Sequence, residues 1–276
     1  MGWLGFGGCL NDNSSCCLGE TATQIFIPDN LEKLIYIKHV TLWRNCDFTK
    51  GKPIPNLEEL HTIVQNTEED FRNIITLFPN LKHIEIWGNH TKNQKLPDEI
   101  GNLSQLESLS LISCGVDDLP DAIVNLKKLT ELNLIGLSMN RFPEVITELE
   151  NLEALTIMQS IKKLPDSLIN LKKLRNLNLN SALNDGNMEV ADIIKEEKLY
   201  LRPIPEVIGK LENLEDLDLG ICGVYDLTPV FSLHKLKKLN LKYSALKNCD
   251  GFSNFPLLEE LMIDTSYDLN DLNGLK

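Results

Sequence analysis

Aliphatic residues recur along the chain in a block of the form L-x-x-L-x-L. The end of each block alternates between apolar and polar positions, which predicts a short strand with one buried face. From Leu106 to Leu174 the steps between blocks are 23, 23 and 22 residues. This constant period predicts stacked units, because one unit cannot bury its leucines alone. The ten blocks begin at Ile37, Leu57, Leu81, Leu106, Leu129, Leu152, Leu174, Leu214, Leu236 and Leu258.

A proline followed by acidic residues precedes many of the blocks. In the unit from Leu96 to Val116, Pro97 is followed by Asp98 and Glu99. Proline is tolerated in the first helical turn, and carboxylates there favour the positive end of the helix dipole, so this opening predicts a short helical segment. The same opening recurs at Pro28, Pro120, Pro143, Pro165 and Pro205. The match at Pro28 extends the array back to about residue 25.

This block pattern resembles the leucine-rich repeat family over residues 25 to 276. The resemblance implies an α/β leucine-rich-repeat solenoid, a curved right-handed horseshoe. Its parallel β-sheet would line the concave face, with short helices or 3-10 turns on the convex face. The central L-P-x-x-I form is similar to the cytosolic subclass found in Ras-associated scaffolds, plant disease-resistance proteins and many bacterial proteins. Cys114 and Cys222 stand where this family usually carries an asparagine that bonds the turn.

Unbroken periodicity predicts one solenoid of about ten repeats over residues 25–276. Residues 1–24 are rich in Gly, Asn, Ser and Cys and are expected to form a flexible tail. The step from Leu174 to Leu214 is 40 residues, which places an insertion near residues 183–203. This insertion is either a binding element at one rim of the concave face or a flap without function.

The seven cysteines favour a reducing compartment. Cys114 and Cys222 occupy equivalent positions in distant repeats, too far apart to bridge, so buried reduced thiols are the simpler interpretation. We therefore predict a cytoplasmic protein. The alternative is a secreted protein in which Cys9, Cys16 and Cys17 belong to a disulfide-bonded N-terminal cap.

Charge and motifs restrict the classes of function. A net charge of −13 disfavours nucleic acid as a partner, and no apolar run is long enough to span a bilayer. The chain contains no phosphate loop, dinucleotide fingerprint, H-E-x-x-H or paired C-x-x-C motif, so no enzyme activity and no cofactor are expected. A weaker alternative is a metal site, because alternation places His39, Glu59 and His83 in one outward row, with His61 and Glu85 in the next.

The outward residue that follows the last core position of each strand is apolar in six successive repeats. A contiguous apolar column of this kind indicates an interface, and tryptophan is common at interface hot spots. The alternative is that the N-terminal tail or a neighbouring loop covers the column. Its members are Trp43, Ile63, Trp87, Ile112, Ile135 and Met158. Beyond Met158 the outward residues become polar, with Asn176, Asn178, Asn180, Asp216 and Asp218 on two successive strands.

The sequence thus predicts a non-enzymatic, monomeric signalling scaffold that binds a protein partner through its concave face. The alternative is a secreted or surface-exposed recognition protein that binds a host protein or glycan. Besides the apolar column, the predicted partner-binding residues are His39, His83, Glu85, Asn178 and Asp218.

Overall fold

The structure is a computed structural model, and it describes residues 3–6, 25–26, 36–49, 51–88, 93–183 and 203–263, without the side chains of 3–6, 25–26 and 43–45. The chain divides into two compact units. The first unit comprises 1–129 and 136–138, and the second comprises 130–135 and 139–276. Most of the predicted insertion and the N-terminal cysteines lie outside the described residues. The single-solenoid organisation of residues 25–276 stays a prediction.

The first unit is built on parallel strands at the predicted blocks. The strands are β1 (Trp3–Phe6), β2 (Ile25–Phe26), β3 (His39–Asp47), β4 (Glu59–Ile63), β5 (His83–Trp87) and β6 (Ser108–Ile112). Their order is β1-β3-β4-β5-β6, and β2 pairs with the far end of β3. The strands β4, β5 and β6 each begin two residues after the first leucine of their block, which confirms the predicted alternation.

Strand β1 lies within the segment that the sequence predicts to be an N-terminal tail. Residues Trp3–Phe6 pair in parallel with β3, with Trp3 opposite His39 and Phe6 opposite Leu42. The glycine- and cysteine-rich composition around them suggested a flexible segment, but four residues suffice to pair with a strand edge that would otherwise leave backbone groups unsatisfied. The flexible tail over residues 1–24 otherwise stays a prediction.

One α-helix in the first unit follows β4. Helix α1 (Thr67–Leu77) begins at Asn66, whose side chain accepts a hydrogen bond from the backbone N–H of Glu69 at 3.3 Å. Acidic residues in its first turn favour the positive end of the helix dipole. Its apolar face buries Phe71 and Ile74 completely, and this burial anchors the helix to the core. The 3-10 helices Asp98–Asn102 and Asp121–Asn125 then follow the predicted proline openings.

The second unit repeats the parallel arrangement. Its strands are β7 (Glu131–Ile135), β8 (Ala154–Met158), β9 (Asn176–Asn178), β10 (Asp216–Asp218), β11 (Lys238–Asn240) and β12 (Glu260–Met262), in that order. The helical segments between them are all 3-10 among the described residues: Glu144–Glu148, Asp166–Asn170, Ile208–Lys210, Thr228–Val230 and Phe252–Asn254. The predicted helical openings at Pro143 and Pro165 are confirmed, while the helix after Pro205 begins only at Ile208.

In both units the inward leucines form the core. Leu109 and Leu111 of β6 and Leu217 of β10 are fully buried, each contributing about 1.5–3 kcal/mol of hydrophobic stabilisation. Cys114, at the position for which the resemblance implies an asparagine, directs its thiol to the carbonyl oxygens of Ile86 and Ile112, both at 3.3 Å. This inward packing leaves the alternate residues of β4 to β6 and of β7 to β11 on the outward face.

Candidate partner-binding surface

Three apolar side chains lie side by side on the outward face of the first unit. Ile63 of β4 is opposite Trp87 of β5, and Trp87 is opposite Ile112 of β6. Neighbouring strands are about 4.8 Å apart, so the three side chains form a continuous strip, called here the apolar row. Ile63 and Ile112 are half-buried, whereas Trp87 keeps 38% of its surface exposed. An exposed tryptophan between two isoleucines is a chemically suitable contact for a partner.

Trp43 does not occupy the place in this row that strict alternation predicts. The register of β3 against β4 shifts after Leu42, so that Asn45 rather than Trp43 is opposite Ile63. The cause is a bulge: Leu42 and Asn45 enclose two residues of β3, whereas their partners Thr62 and Ile63 are adjacent. The side chain of Trp43 lies outside the described residues. The predicted column is therefore corrected at its first position.

Ile135 and Met158 form a separate apolar pair in the second unit. They are opposite each other at the ends of β7 and β8, and both are half-buried. Their pairing agrees with the predicted alternation within this unit. Their role in binding remains a prediction.

Beside the apolar row, histidine and glutamate side chains form a chain, joined by hydrogen bonds from His39 through Glu59 to His61 and by a longer contact from His61 to Glu85. Glu59 contacts His39 Nδ1 through Oε2, and His61 Nε2 through Oε1 at 2.6 Å. On the far side of His61, its Nδ1 lies 3.6 Å from Glu85 Oε1. Trp87 donates its indole N–H to the same Glu85 oxygen at 2.7 Å. The chain thus links the polar residues of β3 and β4 to the apolar row.

The electrostatics of this chain centre on Glu59. Burial alone raises the pKa of its carboxyl group, but the hydrogen bonds from His61 and His39 outweigh burial and hold that pKa below its usual range. The ionised form is therefore favoured at neutral pH. His83 is opposite Glu59 in the β4–β5 register and is half-buried. Within the described part of the chain, no group of three or more His, Cys, Asp or Glu side chains is placed to hold a metal ion.

The outward face of the second unit is organised by short side chains that bond their own backbone. Asn178 Oδ1 accepts from the N–H of Asn180 at 2.9 Å, and Asp218 Oδ1 accepts from Gly220 at 2.8 Å. Asn240 makes the same contact with Lys242 at 3.0 Å. These turns recur in three successive repeats and end the strands early. Sequence reasoning placed Asn178 and Asp218 at the surface but missed this role, although Asn and Asp are the residues that form such turns.

The polar side chains of that face also contact one another. Asn180 Nδ2 donates to Asp218 Oδ1 at 3.2 Å. A Cβ placed on Gly220 would lie only 2.6 Å from Asn180 Nδ2, so a larger residue here would displace the Asn180 amide from its present position. Burial raises the pKa of neighbouring Asp216 above its usual value, and nearby Lys238 opposes this effect. Within the described residues, the amide and carboxylate groups are thus mainly committed to each other.

Solved structures of low sequence identity share this fold. The internalin InlF of Listeria monocytogenes is 16% identical with a TM-score of 0.56, and the match covers 91% of this chain and 76% of that one. TLR13 in its complex with ssRNA13 is 21% identical with a TM-score of 0.63, covering 84% of this chain and 33% of that one. The Arabidopsis receptor kinase HAESA, in complex with the peptide hormone IDA and the co-receptor SERK1, is 20% identical with a TM-score of 0.52 (87% and 43%). At such identities the likeness concerns the fold alone.

Two further findings concern the chain itself. No curated protein matches it in sequence. None of the helices in the described ranges is both long enough and apolar enough to cross a membrane.

A family model described as a leucine-rich repeat region matches residues 57–195, which is just over half of the chain. The match spans both units and includes β4 to β9, where the strands begin at the predicted leucine blocks. The chain belongs to the leucine-rich repeat family.

Proposed function

We propose that this protein is a non-enzymatic cytoplasmic scaffold that binds a protein partner through the outward face of its first unit. The apolar row carries the proposal. Trp87 is 38% exposed at its centre, between two half-buried isoleucines in register. A large aromatic side chain held at the centre of a structured face is the kind of residue that dominates binding free energy in protein interfaces.

The arrangement around Trp87 supports a preformed contact surface. Its indole N–H is bonded to Glu85 at 2.7 Å, and Glu85 in turn lies beside His61. A side chain whose orientation is already fixed loses less conformational entropy on binding, which improves affinity for a given contact area. The regular β-strand beneath it provides further rigidity.

The reducing compartment in this proposal is supported by the cysteine side chains. Cys114 and Cys222 are buried and donate S–H hydrogen bonds to backbone carbonyls, a role that only a protonated thiol can fill. Burial raises their pKa values to about 12 and about 11, which keeps them protonated. The L-P-x-x-I repeat form, which is similar to that of the cytosolic subclass, also supports a cytoplasmic location.

Solved relatives in fold provide a precedent for the class of ligand. HAESA is described in complex with a peptide hormone and a co-receptor. We extend only the general idea of an extended repeat face that binds protein or peptide. The identity of the partner is left to experiment.

The test is a cross-linking capture from native lysate with the wild type, Trp87→Ala and Tyr225→Ala. Tyr225 is the matched control, since it is 45% exposed but lies outside the apolar row. The partner should be recovered with the wild type and Tyr225→Ala and lost with Trp87→Ala. Once purified, the partner should bind Trp87→Ala with a free energy weaker by about 2 kcal/mol or more. Equal affinities for the three proteins would reject the proposal.

The second candidate is a secreted recognition protein that binds a host protein or glycan. Asn178 favours it, because its Oδ1 holds the backbone turn while its Nδ2 receives no partner among the described residues and can donate to a sugar hydroxyl. Titration of freshly purified, denatured protein with a thiol reagent separates the two candidates. Seven free thiols per chain support the cytoplasmic scaffold, whereas disulfide-bonded N-terminal cysteines support the secreted protein.

A further inference from the structure

The outward face of β4, β5 and β6 carries negative charge without a lysine or arginine of its own. Its outward residues are Glu59, His61, Ile63, His83, Glu85, Trp87, Ser108, Ser110 and Ile112. Two of these are carboxylates and none is a lysine or arginine. A partner that binds this face must therefore match both an apolar strip and carboxylate groups that no lysine or arginine of the face neutralises.

The nearest lysines on the flanks of these strands are already engaged elsewhere. Lys38 and Lys82 lie just before β3 and β5 and both donate to Glu58, at 2.6 Å and 2.9 Å. Those hydrogen bonds lower the pKa of the Glu58 carboxyl to about 2. The Glu58 carboxylate therefore stays ionised at neutral pH and remains hydrogen-bonded to both lysines. These two lysines thus do not pair with the carboxylates of the outward face.

Of the two carboxylates on the face, Glu85 is the one with an oxygen available to accept a hydrogen bond from a cation. Glu59 uses one oxygen on His39 and the other on His61. Glu85 receives the indole N–H of Trp87 on Oε1, and His61 approaches that same oxygen. Within the described part of the chain, its second oxygen, Oε2, receives no hydrogen bond, and the side chain is 30% exposed. The open carboxylate oxygen therefore lies directly beside the exposed indole.

We propose that Glu85 and Trp87 together bind an arginine of the partner, flanked by aliphatic side chains that contact Ile63 and Ile112. This inference rests on the proposed function and specifies the chemistry of its partner. A guanidinium group donates to a carboxylate while its planar face stacks on an aromatic ring. A lysine ammonium is a point charge and fits the combined ring and carboxylate less well. The flanking aliphatic groups extend the contact along the apolar row.

The test uses two short probes that differ in charge alone. The first is N-acetyl-Leu-Arg-Leu-amide, and the second replaces arginine with citrulline, which keeps the shape but is neutral. Binding is followed at pH 8 and low salt through the indole N–H resonances of ¹⁵N-labelled full-length protein. The protein has three tryptophans, so the Trp87 signal is assigned as the one missing in Trp87→Phe. The arginine probe should shift this signal with an affinity at least fivefold higher than that of the citrulline probe.

Two variants localise the effect. Glu85→Gln keeps an acceptor for the Trp87 indole but removes the charge, so it should abolish the preference for arginine. Glu131→Gln is the matched control, because Glu131 Oε1 accepts from Asn133 two residues along its strand at 2.8 Å, as Glu85 does from Trp87. This control variant should retain the preference. Urea unfolding of both variants verifies that their stability is unchanged.

Each other outcome rejects the inference while remaining distinguishable from failure of the proposed function. Equal shifts of Trp87 with both probes mean that the row binds apolar groups without a charge preference, which leaves the proposed function standing. A preference for arginine that survives in Glu85→Gln assigns the cation to a different residue. No shift of Trp87 with either probe excludes arginine recognition here, and the capture experiment then decides the proposed function independently.

Discussion

Strands β5 and β10 occupy equivalent positions in their repeats, yet their outward residues contact different kinds of partner: side chains in β5 and the backbone in β10. Strand β5 runs for five residues, and Glu85 on its outward face contacts the neighbouring side chains of His61 and Trp87. Strand β10 runs for three residues, and Asp218 accepts a hydrogen bond from the N–H of Gly220 on its own backbone. The inward residues of both strands are buried: Ile84 and Ile86 in β5, and Leu217 in β10.

The difference shows how one methylene group changes the use of a carboxylate. Aspartate and asparagine side chains are short enough to bond the backbone two residues on, and they compete with the strand ladder. Glutamate at the equivalent position extends past its own backbone and reaches other side chains. The carboxylate on the outward face of β5 therefore bonds other side chains, whereas the equivalent side chains of β9, β10 and β11 form turns with their own backbone.

The largest expected effect tests whether the two regions share one kind of core. Ile84→Ala in β5 and Leu217→Ala in β10 each remove a side chain that is at most 2% exposed. Each should lower the free energy of unfolding by about 2–5 kcal/mol, through lost burial and a residual cavity. Urea unfolding followed by circular dichroism measures both. A cost below about 1 kcal/mol for only one of them would show that the two cores differ.

A smaller effect separates the two outward carboxylates. Asp218→Ala leaves the N–H of Gly220 without its acceptor and should cost about 1–2 kcal/mol of unfolding free energy. Glu85→Ala removes a partly exposed side chain that bonds no backbone group of its own, and should stay within about 0.5 kcal/mol of wild type. Asp218→Asn is the control, since its amide oxygen still accepts. Equal costs for the two alanine variants would contradict the comparison.

Much of this fold follows from residue patterns in the sequence. The leucine blocks predict the strands because alternation fixes which face is buried, and Pro97 and Pro120 predict the helical openings that follow them. Helix α1 went unrecognised, although Asn66 and the acidic residues after it are a recognisable helix start.

The candidate site was only partly predictable. Ile63, Trp87 and Ile112 adjoin as alternation requires, because β4, β5 and β6 pair without interruption. The bulge after Leu42 depends on how β3 pairs with β4, and no local pattern specifies that register. The contact of Glu85 with Trp87 likewise depends on side-chain rotamers rather than on spacing.

A third prediction concerns the turns that follow the outward residues. Ser113 and Ile221 both have left-handed backbone, with φ values of 54° and 58°. This conformation is costly for a β-branched residue such as isoleucine and is tolerated by asparagine. Ile221→Asn should therefore raise the free energy of unfolding by about 0.5–1 kcal/mol, measured in urea. Ile221→Val keeps the branched carbon and should give no gain. A loss of stability in Ile221→Asn would mean that side-chain packing outweighs backbone strain.

The smallest expected effect concerns a feature that the two regions share. Glu58 bridges Lys38 and Lys82 in the first unit, and Glu215 lies between Arg175 and Lys237 in the second. Hydrogen bonds from Lys38 and Lys82 lower the pKa of Glu58 to about 2, and Lys237 lowers that of Glu215. A carboxyl group with a depressed folded-state pKa adds stability above its unfolded pKa, near 4.3, and that stability is lost as pH falls toward the folded value.

Wild-type stability should therefore fall between about pH 5 and pH 2 more steeply than that of Glu58→Gln, because the glutamine variant has no proton to bind there. Both glutamates are at the surface, and exposed ion pairs contribute little, so the change in slope should be small and should shrink further in high salt. Urea unfolding at a series of pH values, for the wild type, Glu58→Gln and Glu215→Gln, measures it. Similar slopes in the two variants would show that the ion pairs flanking the strands contribute alike in the two units. A flattened slope in only one of the two variants would show that the flanking ion pairs of the two units contribute differently to stability.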